Sequence, residues 1–174
     1  MPLRLQLALL TACLLSLQGA SAQSYPCQDR SRWLETVPAS QRDLVLLHVS
    51  ANAATEFFKL VKQPNVKPET QLWAYKTLGI GHLILLQSPY ASSELRPIFS
   101  SVALATANII RGDGDFDAFR AKLLAQGTAI NARIRTAGPD ERTVMLTHTV
   151  EIEQLSNCVL LTATYNAIPE KDRP

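Results

Sequence analysis

Aromatic side chains make up only 6% of the 174 residues, and glycine occurs just seven times. Sheets draw on aromatic and β-branched residues and on glycine-bearing turns, so this scarcity tells against a sandwich or a barrel. Alternation of apolar and polar residues is confined to short stretches, which leaves few strand candidates. Charge is also scarce, at 18%, below the usual quarter. It is nearly balanced, with 17 Lys and Arg against 15 Asp and Glu. No basic stripe stands out. Arg120, Lys122, Arg133 and Arg135 share one segment but are interleaved with apolar residues, as on a solvated helix face. Nucleic acid is therefore not an expected partner.

Motifs that carry chemistry are missing as well. There is no nucleophile elbow, no HExxH, no phosphate-binding loop and no dinucleotide fingerprint. No CxxC pair or haem-attachment sequence occurs. Asp113-Gly114-Asp115-Phe116-Asp117 resembles the start of a calcium loop. An EF-hand needs glycine sixth and glutamate twelfth, and those positions hold Ala118 and Leu124. A turn followed by an Asp115 helix cap accounts for the acids. Nothing here implies a cofactor or a catalytic residue. Asn-x-Ser/Thr is absent too, which fits a bacterial periplasmic protein better than a eukaryotic secreted one.

What is present begins with a leader. Arg4 gives a positive start, residues 5–17 form an apolar run, and Ala20-Ser21-Ala22 supplies the small-x-small cleavage pattern. Residues 1–22 thus read as a cleavable signal peptide, and the mature chain as periplasmic or secreted. The run is shorter than the roughly 20 residues of a membrane span, and no second long run follows, so no transmembrane span is expected. Leu10-Thr11-Ala12-Cys13 resembles a lipobox, but the apolar run continues past Cys13 through Leu14, Leu15 and Leu17. Cleavage leaves Cys27 and Cys158. An even count in an exported chain points to a disulfide. Closing a loop of about 130 residues would stabilise by roughly 5 kcal/mol in the chain-entropy model.

The rest reads as helices separated by breakers. Residues 29–37 can hold a short helix before Pro38. A helix capped by Ser40 should reach about residue 63, with Gln41, His48, Asn52 and Lys59 on its polar side. The next, 68–87, has a narrow polar stripe of Glu69, Lys76 and Gln87 and should be the most buried. A third spans about 92–111 with a seam of Leu95, Ile98, Val102 and Ile109. A fourth follows Asp115 and is lined by Phe116, Phe119, Leu123 and Ile130. The last starts at Gly138-Pro139 and runs to about residue 166, with room for a break. The expected fold is all-α: an up-and-down bundle of four to five antiparallel helices. Its parts are leader 1–22, N-terminal segment 23–39, bundle 40–168 and tail 169–174.

Two histidines lie at apolar positions. His82 sits opposite the polar stripe of its helix. His148 sits among Val144, Met145, Ile152 and Leu155, with Glu151 one turn later. Inward His and Glu residues from facing helices build metal sites in bundles, so His82, His148 and Glu151 are candidate ligand or metal residues. The competing reading is two core histidines bonded to hydroxyls or carbonyls, since a Glu-x-x-His motif is lacking. Gly79-Ile80-Gly81 marks a close helix approach, a kink or a ligand notch. Trp33, Trp73, Tyr75 and Tyr90 are the candidate interface aromatics. Together these features predict an exported helical protein-binding module without catalysis, such as an inhibitor, an immunity protein or an envelope accessory protein. The alternative is a bundle that binds a small ligand or metal through its inward histidines.

Overall fold

A computed structural model describes residues 26–61, 65–112 and 115–173. The expected leader with Cys13, the centre of the 113–114 turn and the final Pro174 lie outside the described residues. Within them the chain is all-helical, with no strand. The helices are α1 (Gln28–Ser31), α2 (Ala39–Val61), α3 (Pro68–Gln87), α4 (Leu95–Ile110), α5 (Phe116–Arg135), α6 (Pro139–Thr147) and α7 (Thr149–Ala167). A 3-10 turn, Arg32–Thr36, follows α1, and another, Glu170–Asp172, follows α7. No helix among the described residues is long and apolar enough to cross a membrane.

Local chemistry sets most boundaries. Pro68 opens α3, where a missing N–H is no loss, and Lys67 before it is extended. The Asp115 carboxylate accepts the Asp117 and Ala118 N–H groups at 2.9 and 3.0 Å, capping α5. At the start of α6 the Glu141 carboxylate accepts the Gly138 N–H at 2.8 Å and pairs with the Arg133 guanidinium. α4 begins later than expected, because the Ser92 hydroxyl accepts the Leu95 N–H and donates to Asp43 at 2.7 Å.

The last expected helix is two helices. His148 leaves helical geometry, at φ −108° and ψ 28°. Beside it the Thr149 hydroxyl donates to the Met145 and Leu146 carbonyls at 3.0 and 2.9 Å. The Thr55, Thr77 and Thr128 hydroxyls make the same i−4 bond inside unbroken helices, so this bond borders the break without being its cause.

α3 contacts α2, α4 and α7 and lies at the centre of the packing. Its surface is apolar nearly all round and leaves only a narrow exposed strip, including Glu69, Leu72 and Gln87. Two glycines let the neighbours close in. A Cβ on Gly79 would lie 2.3 Å from Thr106 Oγ1 of α4. Gly81, about 200° further round the helix, faces Val159 and Ala163 of α7 at 3.7 and 3.8 Å. One core cluster joins Cys27, Leu34, Leu46, Leu85, Phe99 and Leu155. A second joins Phe57, Tyr75, Leu78, Val102, Phe119 and Leu123.

The sulfurs of Cys27 and Cys158 lie at disulfide distance, with Cα atoms 6.0 Å apart. They join the N-terminal segment to α7, against which α1 packs. Tyr90 and Arg42 fasten the same segment elsewhere. The Tyr90 hydroxyl donates to Glu35 at 2.9 Å, and the Arg42 guanidinium donates to the Val37 and Glu35 carbonyls.

Candidate functional site

His82 is buried on the inner side of α3 and 2% exposed. Its Nδ1 lies 2.9 Å from the Leu78 carbonyl, and its Nε2 lies 2.9 Å from Ser50 Oγ of α2. A carbonyl can only accept, so Nδ1 carries the hydrogen. Nε2 is then the acceptor, and the Ser50 hydroxyl donates to it. Burial holds the imidazole neutral, with its pKa lowered to about 4 despite the opposing Leu78 bond. The ring edge meets Phe99, with centroids 6.1 Å apart. Both ring nitrogens are therefore engaged.

His148 stands at the α6–α7 break and not, as expected, within a helical apolar face. Its ring stacks on Trp33 with centroids 4.7 Å apart. Its Nδ1 is buried without a hydrogen-bond partner, and the nearest Glu151 oxygen is 3.9 Å away. Glu151 and His148 are thus neighbours, whereas His82 has Ser50, Leu78 and Phe99 around it. Among the described residues no group of three or more His, Cys, Asp or Glu side chains gathers as a metal site. The expected set of His82, His148 and Glu151 is not brought together as one.

The aromatic candidates divide. Trp33, Trp73 and Tyr90 are half-buried. Tyr75 is 3% exposed and packs on Phe57 and Phe119, with centroids 4.9 and 5.6 Å away. Burial pushes its hydroxyl up to about 12. It is a core residue and has no surface to offer a partner.

The feature that sequence reasoning missed is a groove between α2 and the α6–α7 corner, about 480 Å³ in volume. Leu44, His48 and Asn52 form one wall at one-turn spacing, and Met145, Leu146 and Ile152 face them. His48, expected to be exposed, is half-buried here because α6 covers α2. Burial lowers its pKa, and its Nδ1 has no hydrogen-bond partner. Leu146 is 78% exposed at the rim, and Val150, four residues on across the break, is 61% exposed. The only signal for this in the sequence was the pair of large aliphatic residues four apart beside a helix break.

No protein-family model, curated protein or solved structure matches this chain.

Proposed function

We propose that this chain is an exported, non-catalytic protein-binding module of the inhibitor, immunity or envelope-accessory kind. In this reading a signal peptide is removed, and an up-and-down bundle of antiparallel helices presents the groove between α2 and the α6–α7 corner to a protein partner. The observation that carries it is Leu146, 78% exposed on the lining of a largely apolar groove, with Val150 exposed four residues on. Single exposed aliphatic residues are ordinary, but Leu146 itself lines the groove and Val150 adds exposed apolar surface nearby in sequence; exposed apolar surface beside a concave groove marks an interaction site. Tying the N-terminal segment to α7 through Cys27 and Cys158 keeps the surface rigid, which reduces the entropy lost on docking. Metal binding through the two histidines is disfavoured by the engagement of both His82 nitrogens.

The test is comparative capture from the periplasm of the native host with the full chain and with Leu146→Asp, whose side chain is too exposed to disturb folding. A stoichiometric protein held by the wild type and lost by the variant supports the reading. A partner held equally by both removes the groove. Capture of no protein by either overturns the binding-module reading.

A further inference from the structure

Packing accounts for Gly79, which lies against Thr106. It does not account for Gly127. That residue lies in the middle of α5, where glycine costs about 1 kcal/mol relative to alanine, and a Cβ there would meet nothing within 4 Å. What Gly127 borders is a second cleft, of about 220 Å³, between α2, α4 and α5. The cleft reaches down to the buried Ser50–His82 pair. Phe58, Val102 and Ile130 give it an apolar wall, and Gln126 and Asn131 stand near its mouth. Among the described residues, no charged side chain lines it.

These features define a ligand class. An uncharged, largely apolar cleft disfavours an ion, which would lose hydration without gaining a counter-charge. The volume exceeds the roughly 150 Å³ of a cavity that holds a benzene ring. Ser50 then sets the polarity of the ligand. Its hydrogen is committed to His82 Nε2, because the His82 hydrogen is committed to the Leu78 carbonyl. Ser50 Oγ can therefore offer the cleft only lone pairs, and a ligand that pairs with it must donate. We propose that this cleft binds a small, neutral aromatic molecule bearing one hydrogen-bond donor, of the phenol or indole class, with the donor on Ser50 Oγ and the ring against Phe58 and Val102. The absent side chain at Gly127 keeps the cleft open. This site is separate from the α2/α6–α7 groove, and the two readings stand or fall independently.

Phenol is the probe, and toluene, of similar shape but without a donor, is the control. Each is titrated into the full mature chain while its melting temperature and the His82 ring ¹⁵N resonances are followed. Saturable phenol binding about tenfold tighter than toluene binding is expected, with the Nε2 resonance moving as Ser50 gains a partner. Gly127→Leu should fill the cleft and weaken both ligands at least about tenfold, while folding as well as the wild type because a helix-interior glycine is gone. Ser50→Ala should abolish the preference for phenol. Any one of three results overturns the proposal: no saturable phenol binding, equal affinity for phenol and toluene, or unchanged phenol affinity in Gly127→Leu.

Discussion

Ser50 gives its hydroxyl hydrogen to His82 Nε2 across 2.9 Å, and His82 gives its own to the Leu78 carbonyl. Direction runs one way through this chain, from α2 into α3, and each member depends on the one before it. Removing the serine hydroxyl strands an acceptor in the core. Ser50→Ala should therefore cost about 1–3 kcal/mol, read as a lower urea midpoint. Replacing both partners with apolar residues, as in Ser50→Ala with His82→Leu, should recover much of that loss. A double variant no more stable than Ser50→Ala would show that the pair does something that apolar packing cannot replace.

His82 should make the fold acid-sensitive. Burial lowers its folded pKa to about 4 from the ordinary 6.5. The unfolded chain then binds a proton as pH falls through 6.5, whereas the folded chain does so only near 4. Stability is complete above the unfolded value and declines between the two, by an amount on the order of 3 kcal/mol. His48, lowered by burial, acts in the same direction. Urea midpoints measured from pH 7 to pH 4 should fall in the wild type and flatten in Ser50→Ala with His82→Leu. An equal slope in both would remove His82 as the cause.

The two glycines of α3 should respond in opposite ways to alanine. At Gly79 the new methyl would lie 2.3 Å from Thr106 Oγ1, and overpacking of that kind costs about 1–3 kcal/mol. Thr106→Ala in the same chain should relieve most of it. At Gly81 the contacts are ordinary, 3.7 Å to Val159 and 3.8 Å to Ala163, and the gain in helix propensity, up to about 1 kcal/mol, should dominate. Thermal melts of the two single variants decide the matter. A Gly79→Ala protein as stable as Gly81→Ala would contradict the close α3–α4 approach.

Reducing the Cys27–Cys158 pair should cost about 2–5 kcal/mol. The loss should appear first in the N-terminal segment, where Trp33 stacks on His148. Tryptophan emission and melting temperature, recorded with and without reductant, test this. Identical curves would mean that the Trp33, Tyr90 and Arg42 contacts hold the segment unaided.

Legibility varied with the range of the force involved. α3 could be bounded from the sequence because Pro68 punctuates its start and Ser88-Pro89 its end, and the Asp115 cap acts within three residues. The break at His148 was harder, since no proline or glycine marks its position. Trp73 and Tyr75 could not be ranked. On a helix that neighbours enclose on several sides, no stripe separates a half-buried ring from a buried one. The inward position of His82 followed from its place opposite the polar stripe, but Ser50 as its partner did not. Periodicity gives the face of each helix and says nothing of the axial offset between two helices. His48 failed for the same reason: its own helix placed it among polar residues, and α6, far along the chain, covered it.

Cys27 is separated from its partner by 131 positions, and nearly the whole described chain lies between them. Covalent closure is therefore possible only once the chain has been made as far as α7. A chain cut short before α7 would carry Cys27 as an unmatched thiol. The bond thus distinguishes finished molecules from fragments, a distinction that a label read at the Cys27 thiol itself would report in a mixed population.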